Sequence, residues 1–182
     1  LHWAKANVGH TAIVQHAGAV PPPRVTPARG SGRWSLDFIP RRRHSDRMFS
    51  EMSDAVAAIR PVDALAVPLG PGVPGGFLHA LGERTDFEKL EVFGALMPDL
   101  YQLFMHPSVH YRSGFFGPAE RFLRDAGASV DFVPADFRRF EPVLHHLNPR
   151  VMATSAAPPV DGWVSLSVHA GASVDELHRA AN

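Results

Sequence analysis

The residues most able to do chemistry in this chain are backbone amides and a few carboxylates. The stretch LAVPLGPGVPGGFLHAL, residues 65–81, reads as an apolar strand, a glycine-rich turn and an amphipathic helix. Backbone N–H groups at the start of such a helix carry partial positive charge, and glycine lets a carbonyl oxygen, a carboxylate or a phosphate come close. An equally weighted reading is a plain strand-to-helix connection that needs glycine for a positive φ. GPGVPGG is neither GxGxxG with a downstream ribose-binding acid nor GxxxxGK[ST], so neither standard nucleotide fold is supported. Two further turns are of the same kind, Gly114–Gly117 and APPVDGW at 157–163.

The side chains offer less. Glu120 and Glu141 fall in helical contexts that suit a solvated face or an i,i+4 partner, and Glu120 with Arg124 is such a pair. His106 and His110 are four apart, but Pro107 interrupts any helix between them and a third ligand is missing, so no metal site is expected. His145 and His146 suit a helix end, where a cation is favoured. Ser165 and His169 could be imagined in a hydrolase, yet no G-x-S-x-G elbow exposes a nucleophile.

The frame that must position these groups is limited by composition. With 182 residues and 45% apolar content, one good core can be buried, with room for an appendage. Absence of cysteine excludes disulfides, zinc–thiolate sites and thiol catalysis. No stretch reaches the roughly 18 apolar residues of a membrane span, so neither a membrane partner nor a secretory signal is expected. Net charge is zero but unevenly spread: residues 1–50 hold eight Lys/Arg against two acids, and the remainder ten against sixteen. Residues 20–47, rich in Pro, Arg, Gly and Ser, show neither helical nor strand periodicity. Residues 1–50 are therefore read as a disordered basic head, with Met48 or Met52 as natural starts. Arg41, Arg42 and Arg43 read as a solvated run, and no nucleic-acid partner is expected.

From residue 52 the pattern is regular. Ser53 is expected to cap a helix that Pro61 stops, residues 63–69 form a strand, and Pro74 opens a helix lined by Phe77, Leu78 and Leu81. Strands are expected at 89–96 and 109–116. The helix announced best is GPAERFLRDAG, with Gly117 as cap, Pro118 first, Gly127 after the end, and Ala119, Phe122, Leu123 and Ala126 on one face. SVDFVP then reads as a strand, ADFRRFEPVLHHL as a helix bent or restarted at Pro142, RVMATSA and WVSLSV as strands, and SVDELHRAA as a closing helix. Strands alternating with helices predict an α/β fold, a mainly parallel sheet with flanking helices, with ligands held beyond the strands' carboxyl ends.

Three blocks, residues 53–84, 111–144 and 150–181, together resemble consecutive parts of the amino-terminal domain of the acetyl-CoA hydrolase/CoA-transferase family. The resemblance covers residues 52–181, marks 52–182 as one domain and agrees with the parallel α/β reading. It implies acyl-CoA chemistry: a glutamate attacks the thioester and forms an acyl anhydride, then a glutamyl-CoA thioester, and the acyl group passes to water or another carboxylate. The family carries that glutamate in its carboxy-terminal half, in an acid-then-glycine context that this sequence does not reach, so no catalytic residue is carried over. The expected partners are acyl-CoA, a small carboxylate and a catalytic half in cis or as a separate subunit, with coenzyme A as substrate, no cofactor, and a cytoplasmic location.

What the resemblance assigns here is one wall of a substrate site. The family's glycine–proline loop matches Gly70, Gly72, Pro74 and Gly75. Its aromatic–glycine turn matches Phe115, Phe116, Gly117 and Arg121. Its Pro-Pro-Asp-Gly turn and Ser-Leu strand match Pro158, Pro159, Asp161, Gly162, Ser165 and Leu166. Val62 replaces a common Gly before Asp, and Ser167 replaces a Gly that often follows Ser-Leu. The alternatives are a non-catalytic acyl-CoA or small-carboxylate binding domain, and an α/β scaffold whose basic head makes the contacts.

Overall fold

The computed structural model describes residues 3–4, 11–16, 48–49, 51–136, 138–156, 166 and 173, with side chains from residue 51 onward. In chain order its elements are β1 (Trp3–Ala4), β2 (Thr11–His16), β3 (Met48–Phe49), α1 (Met52–Ala57), β4 (Val62–Leu69), α2 (Gly75–Leu81), β5 (Lys89–Ala95), β6 (Val109–Ser113), α3 (Pro118–Asp125), β7 (Val130–Phe132), α4 (Phe140–Leu147) and β8 (Val151–Ala156). Short 3-10 turns occupy Gly70–Gly72 and Gln102–Met105.

All described strand pairs of the main sheet are parallel, in the order β2-β8-β4-β5-β6-β7. The chain lays down β4, β5, β6 and β7 in one direction, then returns across the sheet to insert β8 on the far side of β4. The outward connections carry α2 and α3 on the face that also packs α1: Ala55, Ile59, Phe77, Leu78, Leu81, Leu103, Phe104 and Leu123 bury against Leu65, Val67, Leu90, Val92, Tyr111, Val151 and Ala153. The return carries α4 on the opposite face, where Phe140 and Leu144 meet Ala66, Phe93, Ala95, Met152 and Ala156. Reversing both direction and face keeps the crossovers of one hand, as parallel connections require.

Strands β4 and β8 are apolar on both sides because helices cover both. In β6 and the first half of β5, before Phe93 and Ala95, the second face is polar: Glu91, His110 and Arg112 form an ion-paired row across the strands, with His110 3.2 Å from Glu91 and Arg112 3.4 Å from it. At the strands' amino ends Arg150 forks onto Asp63, with Nε–Oδ1 at 2.8 Å and a second bond to Oδ2, and also donates to the Ala58 carbonyl at 2.8 Å. That pair locks α1, β4 and β8 together where Val62, 56% exposed, begins its strand.

Several expectations are corrected. Glu51, not Ser53, is the N-cap of α1, without a side-chain bond, and Ser53 is exposed inside the first turn. β5 ends at Ala95 because Leu96 turns into the left-handed region, φ 48°. β6 ends at Ser113, whose hydroxyl oxygen accepts the Phe115 N–H at 3.3 Å and folds the chain back. α4 begins at Phe140, with Pro142 in its first turn, where a missing N–H costs no helical bond, so there is no restart. Within the segment read as head, the backbone of Thr11–His16 pairs with Val151–Ala156 as a sixth strand, and β1 pairs antiparallel with β3. Residues 20–47 and the elements expected at WVSLSV and SVDELHRAA lie outside the described residues, apart from single positions.

Candidate functional site

The carboxyl ends of β4, β5, β6 and β8 meet where strand order reverses, which is where an open parallel sheet has its crevice. Three chain segments build this end. The first is the loop after β4. Gly70 takes φ +55°, and its N–H donates to the Leu96 carbonyl at 3.1 Å. The Val73 and Gly75 amides donate to the carbonyls of Gly70 and Val73. From β8, the Thr154 hydroxyl reaches the Gly72 carbonyl at 3.5 Å and the Ser155 hydroxyl the Val73 carbonyl at 3.1 Å. The loop is thereby fixed against the two strands that flank the reversal.

The second segment is Leu96–Met97, after β5. Non-glycine residues in the left-handed region are uncommon, and such strain gathers at functional sites. Leu96 holds this conformation with its side chain 40% exposed at the rim. The third is the turn after β6, with Phe115 half exposed and Phe116 packed edge-on to Phe132 at 6.2 Å, under the Arg124 guanidinium.

Glu120 joins the second and third segments. It is fully buried, and its carboxylate accepts from Met97 N–H at 3.0 Å, Gly117 N–H at 3.0 Å and the Ser113 hydroxyl at 3.2 Å. The expected solvated face and Arg124 pairing are overturned. Position 120 is the third residue of α3, one turn from its N-cap. A carboxylate there can reach back to the cap amide and is favoured by the helix dipole. Gly117 has no side chain to answer it, so only the returning half of a capping box forms. Burial of Glu120 also rotates the helix: Leu123 is buried but Phe122, expected in the core, is 58% exposed.

Beneath the loops lie two tyrosines. Burial, then the charge of Asp99, pushes the Tyr101 hydroxyl up to about 12. Burial, aided by the Glu120 charge, raises Tyr111 further. Both are neutral at ordinary pH. Gly75 starts α2 against Tyr101, and a Cβ there would lie 3.2 Å from the phenol oxygen.

Of the residues singled out in the sequence, Gly70, Gly72, Pro74 and Gly75 lie together after β4, with Gly70, Gly72 and Pro74 buried, and Phe116 and Gly117 lie in the turn after β6. Arg121 is exposed on α3. Gly162 and Ser165 lie outside the described residues. The Gly117 N–H belongs to Glu120, and the Gly70 and Gly75 amides are spent inside the protein, so this loop is not a phosphate cradle built from those amides. Leu96, Thr154, Ser155 and Tyr101 were not singled out from the sequence. Glu120 was legible only through its spacing of three from a glycine cap.

The histidines are not gathered. His106 accepts from the Ser108 amide at 3.1 Å, and His110 is held between Glu91 and Asp131. His145 pairs with Glu141 at 3.1 Å in the last turn of α4. No group of three metal-ligating side chains occurs among the described residues, and no described helix is long and apolar enough to cross a membrane. Compared with family models and with curated proteins, the chain matches none.

Proposed function

We propose that the chain forms the acyl-CoA-binding wall of a CoA-transferase or acyl-CoA hydrolase, in which the thioester lies across the carboxyl ends of β4, β5 and β8. The observation that carries this reading is the joining of two loops through consecutive residues: Gly70 is bonded to Leu96, and Glu120 to Met97. A wall held this way is organised before a ligand arrives, so little ordering opposes binding. Exposed Leu96, Leu100 and Phe115 give the rim apolar surface for an acyl chain or a second domain. In this reading the attacking glutamate comes from a carboxy-terminal half, because Glu120 has its carboxylate committed to three donors and buried. The same commitment favours, as second reading, a domain that binds acyl-CoA or a small carboxylate without turning it over.

Calorimetric titration of the purified chain with acetyl-CoA, alongside release of free thiol, tests the proposal. Saturable binding without hydrolysis is expected, with turnover appearing only when a catalytic half is supplied. Gly72→Val should weaken binding with an unchanged far-UV spectrum. Leu96→Asn provides a second probe: asparagine tolerates the left-handed backbone, so the fold is kept while the apolar rim is lost. Absence of binding at millimolar acetyl-CoA would defeat both readings. Turnover by the chain alone, abolished by Glu120→Gln or Ser165→Ala, would replace them with an independent hydrolase.

A further inference from the structure

On the opposite face of the sheet a groove of about 790 Å³ runs between α4 and the β6–β7 edge. Its helix side is the stripe Arg139, Pro142, Val143, His146 and Leu147, at i, i+3, i+4, i+7 and i+8, beside the Phe140 and Leu144 face that enters the core. Its sheet side is Arg112, Asp131, Phe132 and Val133. The space is in the range of pockets that hold small organic ligands.

The lining has two characters. Val133, Val143 and Leu147 pack on the core of this face yet stay partly exposed, and Phe132 is 52% exposed, so apolar surface borders the groove. The charges are biased to one sign. Arg139 and His146 have no ion-pair partner among the described residues, and Arg112, whose Nε lies 3.4 Å from Glu91, also lines the groove. The single acid, Asp131, is held 2.9 Å from His110. A planar guanidinium with free donors recognises carboxylates and phosphates in fork geometry.

We propose that this groove binds an organic anion with an apolar body, its head held by Arg139 and Arg112 and its body lying along Val133, Pro142, Val143 and Leu147. The assignment is independent of acyl-CoA binding at the strands' carboxyl ends, since it uses the other face of the sheet and shares with that end only Phe132, which packs on Phe116.

Octanoate is the probe, with octanamide as its uncharged counterpart and acetate as the head alone. Titration of the isotopically labelled full chain should give saturable amide shifts confined to 131–133 and 139–147. Octanamide and acetate should each bind about tenfold more weakly or worse, and Arg139→Glu, an exposed change, should reduce octanoate affinity by about tenfold or more. Gly72→Val should leave octanoate affinity unchanged, which separates this groove from the crevice. Equal binding of octanamide, indifference to Arg139→Glu, shifts centred on 70–75, or no saturation would each overturn the proposal. The wild-type shift map stands without any variant.

Discussion

Glu120 Oε1 accepts the backbone N–H of Met97 at 3.0 Å across 23 residues of sequence, from inside a helix whose own cap amide is bound by Oε2. One buried side chain thus sets the spacing between the turn after β5 and the turn after β6. Removing it with Glu120→Ala leaves two buried N–H groups and a hydroxyl without their acceptor. The expected loss is about 2–5 kcal/mol in urea unfolding. Glu120→Gln keeps one acceptor oxygen and should cost less, about 1–3 kcal/mol. Equal stability of wild type and Glu120→Ala would show that the carboxylate ties nothing together.

The rotation of α3 has its own signature. Leu123→Ala should cost about 2–5 kcal/mol, the range for truncating a buried leucine, and Phe122→Ser should stay within about 0.5 kcal/mol. The opposite ranking would restore the orientation that the apolar stripe suggested.

Gly114, just past the end of β6, has no room for a side chain, because a Cβ there would sit 2.6 Å from the Phe140 ring. Gly114→Ala must push that ring off Phe93 and loosen α4, at about 1–3 kcal/mol. Adding Phe140→Leu should recover part of this loss, a positive coupling measurable in a double-mutant cycle. Strict additivity would mean that the two residues do not meet.

Alkaline stability follows from Tyr101. Its folded-state hydroxyl is raised to about 12, whereas an unfolded tyrosine ionises near the ordinary value of about 10. The unfolded chain therefore loses its proton first. The stabilisation is complete below pH about 10 and declines as pH rises towards about 12. Thermal midpoints taken across that window should fall, and Tyr101→Phe should flatten the fall. A Tyr101→Phe curve parallel to wild type would assign the decline to other groups.

The sequence by itself determined the α/β class, because parallel strands buried on both sides must be short apolar runs between helices, and β4, β5, β7 and β8 appear close to where those runs stand. It also determined both ends of α3, since Gly117, Pro118 and Gly127 act through local backbone geometry. Local pattern could not orient that helix. Phe122 and Leu123 both fit an apolar stripe, and only the competition between a buried carboxylate with three donors and an aromatic ring decided which faced the core. Nor could it find Leu96, whose left-handed backbone is imposed by Gly70 and Glu120 from distant segments. The ends of β5 and β6 moved for the same reason: apolar sequence ran on, but the hydrogen bonds that close the crevice begin first. That Gly70–Gly75 lies beside Thr154 and Ser155 depended on β8 entering on the far side of β4. Such a neighbourhood follows from crossover handedness and packing of α4, which no stretch of local sequence contains.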